Sequence, residues 1–217
     1  MSILGSTTPL LRVGATGQGD GTNAIARGTK EAGQVVQQQH GKYAEAALRG
    51  LMFAACTPSA GATPGTAVGT TAALSLYNPP GSGKRLFVKK VNVGYISGTL
   101  GAGTIYHCGD NTAPNQAAPT GGTAITPVCT DLGNPTGSVA KVGTGTTVAN
   151  TPQRLYPLCA VNAMLATTAT NPAEVQDDVD GAIIVEPGTT YSIQADAAAG
   201  TSPKVSIGVV WEEMAII

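Results

Sequence analysis

Charge is scarce in this chain. Only 12% of its 217 residues are Asp, Glu, Lys or Arg, and 12 cations against 13 anions leave a formal net charge of −1. Proteins drawn to DNA, RNA or an anionic membrane carry a basic excess, so this balance excludes a strong electrostatic pull toward any of them. Aromatics make up only 4%, with a single tryptophan. Too few are present to build the stacking platforms of a sugar- or base-binding face. Long apolar runs are missing as well. A bilayer span needs about 20 consecutive apolar residues, and the longest run here, Leu48 to Cys56, is interrupted by Arg49 and Gly50. Met1 to Val13 shows no basic stretch followed by an apolar one, so no secretory leader is expected.

Reactive groups are few. The two histidines are His40 and His107. His107 is followed directly by Cys108, and neighbours on a strand point to opposite faces, which is poor geometry for a nucleophile and its base. Each histidine reads as structural. The four cysteines, Cys56, Cys108, Cys129 and Cys159, match neither a zinc pattern nor a CxxC pair, and read as buried or half-buried free thiols of a reducing compartment. Glu212-Glu213 are adjacent, so they cannot flank one substrate bond together; a rim ion pair or solvent contact is expected of them.

Three motifs look functional and fail on inspection. Asn78-Pro79-Pro80-Gly81-Ser82-Gly83-Lys84-Arg85 has Asn78 where a phosphate-binding loop needs its first glycine, and Arg85 where it needs Ser or Thr. It reads as an exposed loop between strands. Gly19-Asp20-Gly21-Thr22-Asn23-Ala24 lacks the strand before and the helix after that a dinucleotide site requires. Asp177-Asp178-Val179-Asp180-Gly181 departs from a calcium-binding EF-hand loop and reads as a solvated turn, with a cation site shared with other loops as the alternative. No catalytic, cofactor-binding or metal-binding residues are assigned, and no enzyme activity is expected.

Small residues and turn formers are abundant instead. Gly (29) and Pro (14) together make about a fifth of the chain, where roughly an eighth is usual. With 42% hydrophobic residues the chain still has enough apolar material to fold. Short apolar runs between frequent breakers indicate many strands and many turns. Residues 1–30 are rich in Gly, Thr and Ala without a period and read as an extended arm, of the kind that orders on a neighbouring subunit. Gln34 to Gln39 reads as a short strand. The one helix candidate is Gln34 to Phe53, within which Lys42 to Arg49 has the good helix formers and Gly50 is the stop.

Strands follow at Ala73–Tyr77, Leu86–Ile96, Thr104–Cys108 and Ala124–Leu132, the last interrupted by Pro127 and so placed at an edge. Within Leu86–Ile96 the apolar parity changes face, which predicts a bulge near Lys89-Lys90. Ile183 to Ala195 alternates on both sides of Glu186-Pro187-Gly188-Thr189 and reads as a β-hairpin with a type II turn. The last strand puts Val205, Ile207, Val209 and Trp211 on one face, with Trp211 as core anchor. Lys84, Arg85, Lys89 and Lys90 form the one basic cluster. It reads as protection of an edge strand, or as a docking site for an acidic partner. The expected fold is all-β: a jelly-roll-like antiparallel β-sandwich over 31–217, with the N-terminal arm (1–30) and one short helix.

Four segments, taken together, resemble virion structural proteins of tailed bacteriophages: His40-Gly41-Lys42-Tyr43-Ala44-Glu45-Ala46-Ala47-Leu48-Arg49-Gly50; Tyr77-Asn78-Pro79 with Gly81-Ser82-Gly83-Lys84; Asp178-Val179-Asp180-Gly181 through Glu186-Pro187-Gly188-Thr189; and Val209-Val210-Trp211-Glu212-Glu213. The resemblance implies a jelly-roll-like domain on the capsid surface of a virion assembled in the host cytoplasm. It further implies a decoration or cement protein, self-associated as a homotrimer and bound to the major capsid protein, without nucleic acid, membrane or cofactor. A receptor-binding or fibre-associated protein is the alternative. Arg12, Arg27, Lys84, Arg85, Lys89 and Lys90 are the expected assembly contacts.

Overall fold

The computed structural model describes residues 41–99, 101–110, 115–160, 174–197 and 200–216. The chain divides into two units, Met1–Lys42 and Tyr43–Ile217, and the fold described is that of the second. The arm, including Arg12 and Arg27, and the expected strand at Gln34–Gln39 lie outside the described residues.

Among the described residues one short helix, α1 (Ala44–Leu48), precedes twelve strands: β1 (Met52–Cys56), β2 (Thr71–Asn78), β3 (Lys84–Ser97), β4 (Thr104–Gly109), β5 (Thr123–Ile125), β6 (Val128–Cys129), β7 (Lys141–Thr147), β8 (Gln153–Ala160), β9 (Glu174–Asp177), β10 (Ile183–Val185), β11 (Thr189–Ala195) and β12 (Lys204–Ala215). They form two six-stranded sheets. The first runs β10-β3-β12-β1-β6, with β9 also paired to β3; the second runs β5-β7-β2-β11-β4-β8. Every pairing is antiparallel. The expectation of an antiparallel all-β domain with one short helix therefore holds.

The apolar faces of the two sheets enclose one core. Trp211 and Phe53, both fully buried, stack in it with ring centroids 6.2 Å apart, and Leu74, Leu76, Ile193 and Ile207 are sealed around them. The alternation read in the last strand is the cause: Val205, Ile207, Val209 and Trp211 are all buried. The change of parity in β3 is resolved as expected. Val210 faces Lys90 and Trp211 faces Val88, so Lys89 is the extra residue of a bulge. That insertion lets Leu86 and Val88 on one side of it and Val91 and Val93 on the other all face the core.

Several expectations are corrected. The Ile183–Ala195 segment is not a hairpin: β10 pairs with β3 in one sheet and β11 with β2 and β4 in the other. The turn itself is the reason. Thr189 N–H donates to Glu186 O at 3.1 Å, and Gly188 at φ +78° gives the type II form. Type II turns splay the strands they join rather than twisting them into register, so this one carries the chain across the sandwich. A Cβ on Gly188 would also meet the Asn115 backbone at 2.6 Å. Gly188→Ala is expected to destabilise the domain by more than about 1 kcal/mol, read as a lower urea midpoint at unchanged slope.

β3 is not an edge strand. It lies between β12 and the β9/β10 pair, so its lysines do not guard an edge; alternation along a strand does not reveal how many neighbours it has. The Ala124–Leu132 strand is split at Pro127 into β5 and β6, which sit at the edges of different sheets. β1 begins at Met52, where the helix candidate had been drawn on to Phe53, because Gly50 at φ +67° ends the helix first.

Candidate functional site

The four described members of the basic cluster are held within the chain. Lys84 Nζ lies 2.9 Å from Glu213 Oε2, Arg85 Nε 2.7 Å from Glu186 Oε1, Lys89 Nζ 2.7 Å from Glu212 Oε2, and Lys90 Nζ 3.2 Å from Asp178 Oδ1. Each cation already faces a carboxylate, which leaves little field for an acidic partner. The acidic cluster is dispersed in the same way. Asp178 pairs with Lys90, Asp180 accepts from the Tyr43 hydroxyl at 2.9 Å, and Asp177 turns inward to His107. Three carboxylates that diverge to three partners do not form a cation cage. Among the described residues no group of three His, Cys, Asp or Glu side chains is placed to hold a metal.

Glu213 overturns the expectation of a rim residue. It is fully buried, while its neighbour Glu212 makes the expected rim ion pair with Lys89. Strand alternation puts Glu213 on the same side as Trp211. There its carboxylate accepts from Ser138 Oγ at 2.6 Å, Val139 N at 3.1 Å, Trp211 Nε1 at 3.3 Å and Lys84 Nζ at 2.9 Å. The group closes one end of the sandwich and fastens the loop before β7 to β12.

The cysteines are free thiols, as expected, but Cys56 is exposed rather than buried. Burial pushes the Cys108 and Cys159 thiols up to about 11. Neither is a nucleophile at neutral pH, because the thiolate is the reactive form.

The flank where β8 and β4 of one sheet face β9 and β10 of the other holds the most distinctive chemistry. His107, on β4, is fully buried between the sheets. Its Nδ1 is 2.6 Å from the Tyr191 hydroxyl, its ring stacks on Tyr156 at 4.4 Å, and its Nε2 approaches Asp177 Oδ2 to 3.1 Å, at an angle too oblique for a regular hydrogen bond. Burial pushes the imidazole below its ordinary value, against the opposing charge of Asp177. Burial, then the Asp177 carboxylate, push the Tyr156 phenol up to about 12. Tyr191, wholly enclosed, is raised well above the usual phenol range, first by burial.

The Asp177–His107–Tyr191 chain has the order of a nucleophile relay, but its terminal hydroxyl is sealed from solvent. What the cluster does is join the sheets: β9 supplies the carboxylate, β4 the imidazole and β11 the phenol. Sequence reasoning named His107 as structural but missed Asp177 and Tyr191 as its partners, because the three lie far apart in the chain.

Beside this cluster a recess of about 220 Å³ opens to solvent. Leu155, Ile183, Ile184, Val185 and Tyr191 make its apolar wall, and Asp110 and Glu186 stand at it. Leu155 and Ile184 are 49% and 48% exposed. Leu155 is the odd residue of a bulge, since β4 partners skip from Tyr156 to Arg154, and its side chain lies over Gly109. Nothing in the sequence pattern of Gln153–Ala160 marks this surface, because a bulge moves side chains between faces without a signature of its own.

No protein-family model, curated protein or solved structure matches this chain. Among the described residues no helix is long and apolar enough to cross a membrane.

Proposed function

We propose that this chain is a structural protein of a tailed-bacteriophage virion, of the kind that decorates or cements the capsid, and that its domain is a jelly roll. The strand pairing supports the jelly-roll reading most directly. A jelly roll is a long antiparallel hairpin wound on itself, so its eight principal strands pair first with last, second with seventh, third with sixth and fourth with fifth. Taking β1, β2, β3, β4, β8, β10, β11 and β12 in that order, the pairs β1–β12, β2–β11, β3–β10 and β4–β8 are all present. On this reading β5, β6 and β7 are an insertion between the fourth and fifth strands, and it widens both sheets at one flank.

The chemistry of the surface supports the rest. Many of the described charged groups are paired within the chain, the hydroxyl end of the buried relay is enclosed, and several large apolar side chains, among them Leu132, Leu48, Val128, Leu155 and Ile184, are exposed. Such a molecule acts through contact area. On a symmetric shell each contact is repeated many times, so weak contacts add up. The expected partners are the major capsid protein and further copies of the chain as a homotrimer, at the capsid surface. The test compares particles made with and without this protein. Particles lacking it are expected to rupture at lower temperature and under milder osmotic shock; equal resistance of the two would remove the cementing role.

A further inference from the structure

We propose that β9 is a latch: a strand that swings off β3 as a unit, more readily in acid, while the rest of the sandwich stays folded. This stands apart from any role in a virion. β9 is weakly committed to the core. Its Glu174 and Gln176 are exposed and its Val175 and Asp177 only half-buried, whereas the equally peripheral β10 buries Ile183 and Val185. Among the described residues its ladder partner is β3 alone. Elements with few buried apolar contacts open at the lowest free energy. The side-chain ties across the seam are polar and weak. Asn92 Nδ2 reaches Glu174 Oε1 only at 3.4 Å, and Asp177 Oδ2 meets His107 Nε2 obliquely at 3.1 Å. The next tie, Lys90 to Asp178, lies between two exposed side chains and adds little. Firm attachment begins beyond it. Val179 is buried, and the Asp180 and Gly181 N–H groups donate to Lys89 O at 2.9 Å and Val88 O at 2.7 Å. The hinge therefore falls at Asp177-Asp178.

The ring beneath the strand supplies the trigger. With β9 in place, Asp177 caps the Nε2 edge of the fully buried His107, and that nitrogen has no regular hydrogen bond. Opening turns the edge toward water, which provides the missing partner. Burial holds the closed-state imidazole below its ordinary value, against the pull of Asp177. An imidazole reached by water returns toward about 6.5. Acid therefore protonates the open form first. The closed form is fully favoured above about pH 6.5 and loses ground as pH falls below it, by at most about tenfold per pH unit for one proton. The other titratable groups against the ring are Tyr156 from β8 and Tyr191 from β11, both neutral in this range. Opening bares the backbone of β3 from Val91 to Gly94, the residues that β9 pairs with. A strand edge uncovered in this way can accept a strand from another chain.

The experiment is native-state hydrogen exchange on the full chain, read residue by residue by NMR and corrected for intrinsic exchange rates. At pH 7.5 the laddered amides of β9 are expected to be roughly a hundredfold less protected than those of β12. Their exchange should not respond to urea below the unfolding transition, because a local opening exposes little surface. Between pH 6.5 and 5 their protection should drop severalfold further in the wild type and stay level in His107→Gln. Amides of β9 with the protection and urea slope of β12 would show that the strand leaves only with the whole fold, and would overturn the proposal. So would protection at β9 that is flat with pH in the wild type, or that falls equally in His107→Gln. The wild-type urea and pH series decide the matter even where the variant does not fold.

Discussion

Replacing Glu213 with alanine is expected to cost the domain about 3–5 kcal/mol, the range for breaking a buried ion pair by removing one partner. The carboxylate is fully enclosed and is the common acceptor for Ser138, Val139, Trp211 and Lys84. Without it, the Val139 and Trp211 N–H groups lose their acceptor, and each buried orphan costs about 1–3 kcal/mol. Lys84, 28% exposed, can turn to water, which limits the loss on its side. Glu213→Gln is expected to cost less, because an amide keeps one acceptor oxygen and nearly the same volume. A domain of this size is stable by about 5–15 kcal/mol, so the alanine variant should show a much lower urea midpoint, and near the bottom of that range it would be largely unfolded. If E213A and E213Q unfolded at the wild-type midpoint, the carboxylate would not be what holds this end of the sandwich closed.

Acid should weaken the protein through His107. Burial holds the folded-state imidazole below its ordinary value, so between the two values the unfolded chain binds the proton and the folded chain does not. Stability is then complete above the unfolded value of about 6.5 and declines as pH falls toward the folded value. One proton sets a ceiling on the slope of about 1.4 kcal/mol per pH unit. The groups facing the ring are Asp177 from β9, Tyr156 from β8 and Tyr191 from β11. The tyrosines stay neutral throughout this window, and Asp177 moderates the effect by favouring the imidazolium. Urea midpoints measured from pH 7.5 to 5 should fall in the wild type and in His40→Gln, and stay level in His107→Gln. A wild-type curve that is flat over this range would show that the buried ring is protonated as easily as a free one.

Much of the β architecture was legible in the residues because it follows from local rules. Val205, Ile207, Val209 and Trp211 alternate, so they share a face whatever that face meets. The parity change in β3 required an extra residue, and Lys89 is that residue. Pro127 cannot donate in mid-sheet, so it broke a strand at an edge. Gly50 and Gly188 stand where positive φ is needed.

Pairing over distance was decided only by the tertiary structure. Whether Ile183–Val185 and Thr189–Ala195 make a hairpin or cross the sandwich depends on which strands compete for their edges, and β3 and β2 took them. That β3 is central rather than an edge depends on β9, β10 and β12, whose sequences lie 80 or more residues downstream. Glu213 could be placed on the side of Trp211 by parity alone, but its burial needed Lys84, Ser138 and Val139 to arrive from elsewhere. The same holds for Asp177, His107 and Tyr191. A sequence fixes which way a side chain points along its own strand; only packing brings the partner that makes burial of a charged or polar group tolerable.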